Sequence, residues 1–210
     1  MYKIIKRGMD IVFCGVLSLF LLPLFAVLCA FVKFTSKGGV FFTQKRVGKD
    51  NIHFGIYKFR TMYIDTPKDT PTHLLENPEK YITPVGKFLR KTSFDELPQL
   101  INILKGEMSL VGPRPALWNQ YDLIALRDKG GASACVPGLT GLAQINGRDE
   151  LPIETKAAYD NEYAKKLSFF LDLRIFFGTF FFVLTGRGIQ EGVSSEVPKS
   201  SQNHPPTHSN

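Results

Sequence analysis

From Ile11 to Val32 the chain places 22 consecutive residues without a charge, and that run limits the fold more than any other feature. As one helix, residues 11–32 would reach about 33 Å, enough to span a hydrocarbon core. Lys3, Lys6 and Arg7 precede the run, while Lys33, Lys37, Lys45, Arg46 and Lys49 follow it. Positive charge favours the cytoplasmic side of a membrane, so both ends are drawn to the same face, which a single straight span cannot satisfy. Pro23, in the middle, removes a helical hydrogen bond and crowds the preceding turn, so a bend is expected there. Two geometries fit: a helix that enters, breaks at Pro23 and returns, and an ordinary proline-kinked transmembrane helix. A cleaved signal peptide fits less well, because the run is long for such a segment and Leu28 before Cys29 makes a poor lipobox.

The remaining length suits one domain with a real hydrophobic core. A net charge of +7 beside an apolar anchor points to an anionic surface or substrate, and the dense basic stripe of a nucleic-acid binder is missing. The three cysteines form neither a disulfide framework nor a CxxC pair, in keeping with a reducing compartment. Residues 40–44 and 52–59 read as short strands, 66–79 as a polar surface loop, and 86–90 and 98–105 as helices, the second ended by Gly106. Residues 137–148 hold three glycines without helical periodicity and read as a compact loop. Residues 154–167 predict a polar helix. Residues 169–184 carry seven phenylalanines, but Asp172 and Arg174 leave too short an uncharged stretch to span, so an interfacial or buried helix is expected. The expected class is α+β, mostly helical, with a small β element. Its parts are a membrane segment (1–35), a cytosolic domain with interfacial helices (36–185) and a disordered tail (186–210).

Two short segments carry chemistry. In Leu110-Val111-Gly112-Pro113-Arg114-Pro115 an arginine stands between two prolines, whose fixed φ leaves the backbone few conformations. In Ser93-Phe94-Asp95-Glu96-Leu97-Pro98-Gln99-Leu100 two adjacent carboxylates lie at an expected helix start. Ser93 and Glu96 also have the spacing of a capping box, which explains Glu96 better than Asp95. An Asp held at a helix start stays ionised and can serve as nucleophile or metal ligand. Attack by a carboxylate on a phosphate needs cations, and Arg114, Lys58, Arg60, Arg90 and Arg148 are the candidates. His53 and His73 stand alone, and His204 and His208, though spaced like helical ligands, flank Pro205 and Pro206 where no helix should form, so no zinc site is inferred; a hard, oxygen-bound Mg²⁺ using Asp or Glu suits the chain, with Asp95 and Glu96 as its candidates.

Five segments occur in one order: Phe42-x-Gln44-x-Arg46-x-Gly48, Tyr57-Lys58-Phe59-Arg60-Thr61-Met62, the Ser93–Leu100 segment, Gly106-x-Met108-Ser109-Leu110-Val111-Gly112-Pro113-Arg114-Pro115, and Pro137-Gly138-Leu139-Thr140-Gly141. Together they resemble the bacterial sugar transferases, the monotopic phosphoglycosyl transferases, over about residues 1 to 185. The resemblance implies transfer of sugar 1-phosphate from a UDP-sugar to undecaprenyl phosphate with release of UMP, on the cytoplasmic face of the inner membrane, opening glycan assembly. It implies that Asp95 attacks the β-phosphate to form a covalent phosphosugar, that Glu96 supports Mg²⁺ or proton handling, and that Arg114 binds phosphate. Arg90, Lys58 and Arg148 follow as further phosphate contacts. The family's helix re-enters at a proline, which favours re-entrance at Pro23, although relatives often have Ser where this chain has Leu22. The short N-terminal lead resembles the small form of the family. Two other readings stay open: a non-catalytic membrane adaptor, and the same reaction through a ternary complex with Asp95 as a Mg²⁺ ligand.

Overall fold

The computed structural model describes residues 1–66, 77–147 and 150–185, so the expected loop is covered only at its edges and the tail lies outside. Helix α1 (Tyr2–Thr35) contains Pro23 and is the one described helix long and apolar enough to cross a membrane. Strands β1 (Phe41–Val47) and β2 (His53–Phe59) form an antiparallel pair with Phe41 opposite Phe59 and Val47 opposite His53. Then come α2 (Pro84–Thr92), α3 (Gln99–Lys105), β3 (Ser109–Val111), α4 (Tyr121–Gly130), β4 (Gly138–Thr140), α5 (Leu142–Ile145), α6 (Ile153–Lys165) and α7 (Phe169–Thr185). The class is α+β.

One face of α1 forms the floor of the domain. Cys14, Leu17 and Leu21 pack with Ile56 of β2, Leu100 and Ile103 of α3, and Met108. Leu24, Phe25, Leu28 and Val32 pack with Phe59, Leu89, Phe94 and Leu97. The spacing of three and four residues is a helical stripe, and it runs nearly the whole helix. Polar ties extend it at both ends. Arg7 donates to the carbonyls of Ile103 (2.5 Å) and Leu104 (2.9 Å), satisfying the C-terminal end of α3. Past the other end, Arg60 donates to the carbonyls of Ser36 (2.9 Å) and Lys37 (2.6 Å). On the opposite face Val12, Val16, Leu19, Phe20, Phe31 and Phe34 are exposed.

The 137–148 segment departs from the loop expected of it. Gly138–Thr140 pairs in parallel with β3, and Leu142–Ile145 closes one helical turn. Two of its glycines are there for contact rather than for turning, while Gly147 takes a positive φ of 140°. A Cβ on Gly138 would strike the amide of Gly112, and one on Gly141 the carbonyl of Gly112, so only glycine lets these backbones meet. Helix α4 has no clear signature in the chain, since Tyr121–Gly130 mixes charge and apolar residues without a stripe. At α2, Pro84 follows the cap residue Thr83, whose Oγ1 accepts from the Gly86 amide at 2.9 Å, a bond that stabilises by about 1 kcal/mol.

Candidate active site

Asp95 and Glu96 lie on a single tight turn (Phe94–Glu96) between α2 and α3. Ser93 ends α2 in the left-handed conformation, φ 58° and ψ 16°, and makes no side-chain cap bond. The capping box is therefore not formed. Two cations draw Glu96 away: Lys58 Nζ is 2.9 Å from Oε1, and Arg114 Nη2 donates to the same oxygen at 2.5 Å. Charge-assisted bonds to a buried carboxylate outweigh one backbone amide. The turn is pinned from both sides, because Phe94 and Leu97, which flank the two acids, pack on the second half of α1.

Each cation reaches the acids from a different element. Lys58 comes from β2, next to Tyr57, whose amide donates to the fully buried Asn102 of α3 at 3.0 Å. Asn102 in turn donates to the Gly55 carbonyl at 2.8 Å, so α3 and β2 are bolted together beside Lys58. Arg114 follows β3. Its own carbonyl accepts from Arg127 (2.9 Å) and that of Pro115 from Arg46 (3.1 Å), so two guanidiniums hold the loop while the third points at Glu96. Arg127 is fixed by two bonds to Asp160 of α6, at 2.9 and 2.6 Å. Arg90, in the last turn of α2, is close enough for its charge to pull the Asp95 carboxyl down.

Asp95 differs from its neighbour. Lys58 Nζ stands 3.9 Å from Oδ2, beyond hydrogen-bond range, and both acids are buried. Burial pushes the Asp95 carboxyl above the ordinary carboxylate range; Glu96 adds to this, and Lys58, Arg90 and Arg114 oppose it without cancelling it. The turn thus holds one carboxylate neutralised and rigid and another with an oxygen to spare. That second group can attack an electrophile whose negative charge the surrounding cations bind.

Five of the sequence-predicted residues, Lys58, Arg90, Asp95, Glu96 and Arg114, gather here. Arg148 lies outside the described residues. Arg60 does not join, because its guanidinium is occupied by the backbone of Ser36 and Lys37. Missed by sequence reasoning were Asn102, Arg127 and Asp160; Asp160 sits in a helix that reads as simply polar, with nothing to mark it as a buried partner. Asp95 and Glu96 offer hard oxygen donors, and among the described residues no cluster of three or more His, Cys, Asp or Glu side chains forms. That set fits Mg²⁺, which binds through one or two carboxylates and completes its shell with phosphate and water.

Comparison with known proteins gives a consistent result. The family model described as bacterial sugar transferase matches residues 1–186. The exopolysaccharide production protein ExoY of Rhizobium meliloti is 39% identical over 203 residues, 87% of each chain. The UDP-glucose:undecaprenyl-phosphate glucose-1-phosphate transferase of Escherichia coli is 39% identical over 191 residues, 85% of this chain and 40% of that protein. The UDP-N-acetylgalactosamine-undecaprenyl-phosphate N-acetylgalactosaminephosphotransferase of Aeromonas hydrophila is 37% identical over 197 residues, 89% of this chain and 45% of that one.

Proposed function

Because this chain belongs to the bacterial sugar transferase family and is a sugar-phosphate transferase, we propose that it moves sugar 1-phosphate from a UDP-sugar to undecaprenyl phosphate through a covalent intermediate on Asp95. The observation that carries the reading is the division of labour in the dyad: Glu96 bound by Lys58 and Arg114, and Asp95 buried beside it without a short bond to either.

In the first displacement an Asp95 carboxylate oxygen attacks the β-phosphorus of the donor. The bond from that phosphorus to the oxygen bridging the α-phosphate breaks, and UMP leaves with the electron pair. In the second, a phosphate oxygen of undecaprenyl phosphate attacks the same phosphorus, Asp95 leaves, and the polyprenyl-diphosphate sugar forms. Arg114 and Lys58 hold the transferring phosphate, Arg90 meets the rest of the diphosphate, and phosphate binding by Arg148 rests on the resemblance alone. Glu96 fixes the two nearest cations in place. Mg²⁺, held by Asp95 and Glu96, would neutralise charge on the diphosphate. The product would open assembly of a polysaccharide or other glycan.

We place the protein on the cytoplasmic face of the inner membrane as a monotopic enzyme with α1 re-entrant. Support comes from α1 itself: Arg7 near its start and Ser36 just past its end are both tied to the same domain, which favours one side for both ends, while the helix itself runs unbroken through Pro23. The outer face of α1 and exposed Phe170, Phe177, Phe180 and Phe181 of α7 supply apolar surface for lipid. A single cysteine at the exposed Ile4 position should resist a membrane-impermeant thiol reagent in intact cells. Labelling from outside would mean a full span.

The test of function is UMP release from a panel of UDP-sugars with Mg²⁺ and undecaprenyl phosphate. With the acceptor omitted, one equivalent of UMP and a phosphosugar adduct on the protein are expected. Release only when acceptor is present would instead indicate a ternary complex, and no UMP from any donor would defeat the assignment. The rate of the burst should climb with pH through a limb above the ordinary carboxylate value of about 4, because Asp95 must lose a proton that burial makes it hold.

A further inference from the structure

Asp10 is a carboxylate in a helix whose next 22 residues carry no charge, yet it is 4% exposed. It faces the domain, not solvent. Its Oδ2 accepts from Ser109 Oγ at 2.7 Å and its Oδ1 from the Leu110 amide at 3.2 Å. Both donors belong to β3, the strand that leads directly into Gly112-Pro113-Arg114. Burying a carboxylate is costly, and a neutral acceptor would satisfy one amide and one hydroxyl at lower cost.

The rest of this segment is held just as closely. Ser109 donates its amide to Pro137 and Gly112 to Thr140, both at 2.8 Å, and Gly138 donates to the Pro113 carbonyl at 2.9 Å. The Tyr163 hydroxyl lies 3.1 Å from the Val111 carbonyl and 2.7 Å from Asp172 Oδ1, so its one proton serves both. Leu110 faces away from β4, since the parallel pairing engages Ser109 and Val111, so its amide needs an acceptor from another element. Asp10 is that acceptor. Pulling on β3 from the α1 side sets the height at which the strand delivers Arg114 to Glu96.

We propose that Asp10 is a positioning residue for Arg114, through which the seating of α1 fixes the phosphate-binding cation. The inference rests on the reading of Arg114 given above. Asp10 touches no substrate; it acts through β3, and its removal loosens Arg114 rather than removing it.

Small misplacements of a positioned charge lower turnover steeply. Asp10→Ala should reduce the burst rate of UMP release about tenfold, with donor KM changed far less than kcat and the protein still in the membrane fraction. Asp10→Asn, which can still accept from Leu110 and donate to Ser109 Oγ, should recover most of the loss. The discriminating measurement is a double-mutant cycle. In an Arg114→Ala background Asp10→Ala should cost almost nothing more, because the group it positions is gone. Full additivity, or an unchanged burst in Asp10→Ala, overturns the proposal. Should Asp10→Ala fail to accumulate, Ser109→Ala removes one of the two bonds without touching α1; a lowered burst that vanishes as an effect in the Arg114→Ala background supports the proposal, and wild-type kinetics overturns it. Wild-type turnover in Arg114→Ala alone would defeat the functional reading instead, so the two failures are distinguishable.

Discussion

Asp95→Asn should abolish the phosphosugar adduct and lower UMP release by about four orders of magnitude, while raising the melting temperature at neutral pH. The two effects share one cause. Burial raises the Asp95 carboxyl in the folded protein, so folding binds a proton more tightly than the unfolded chain does. The corresponding stability is fully present below the unfolded value and is lost as pH rises through the folded one. Asparagine is neutral throughout and keeps that contribution at pH 7. The stabilisation of the variant over wild type should therefore disappear at acid pH, where Asp95 is itself protonated. Adduct mass spectrometry and melting curves between pH 4 and pH 8, a range that begins near the ordinary value of about 4, check both parts. Wild-type turnover would remove Asp95 as the nucleophile; a lower melting temperature would mean that its charge stabilises the fold.

Arg114→Ala should lower kcat/KM by about a thousandfold and Arg114→Lys by about a hundredfold. The guanidinium spans both carboxylate oxygens of Glu96, with Nη2 at 2.5 Å from Oε1 and Nη1 at 3.4 Å from Oε2. Its planar fork can meet Glu96 and a phosphate oxygen in one geometry, whereas lysine brings a single point charge. Lys58 still holds Glu96 in either variant, so the dyad turn should keep its place and the loss should fall on the transition state. Steady-state kinetics with circular dichroism as a folding control decides the matter. A lysine variant at wild-type rate would reduce Arg114 to a general positive charge.

Much of this site was legible because its chemistry is carried by short segments whose residues are unusual in company: an Asp-Glu pair before a proline, and an arginine between two prolines. Their order along the chain marks the family. What stayed hidden has a common physical origin. The capping-box pattern is local, and it lost Glu96 to two cations, Lys58 and Arg114, that are distant in sequence. The short parallel pair of β3 and β4 has three residues in each strand, too few for alternation to register. Asp10 stands at the edge of an apolar run, and its partner is 99 residues away. Arg60 shared a segment with Lys58 and looked equally suited to phosphate, yet its neighbours in space are backbone carbonyls. Side-chain identity was readable from the chain; the assignment of each charge to its partner required the fold.

The stripe along α1 also bears on how such a protein is made. Tyr2 donates to Asp172, 170 residues later in the chain, and Lys6 to the same carboxylate. At roughly 5 to 20 residues per second, synthesis separates these partners by roughly 10 to 30 seconds. The first helix to leave the ribosome therefore waits, with Lys6, Arg7 and Asp10 unpaired, until α3, β3 and finally α7 arrive to cover them. The contacts that seat α1 are thus completed only when the rest of the domain exists, and the earliest-made segment is the last to be fully seated.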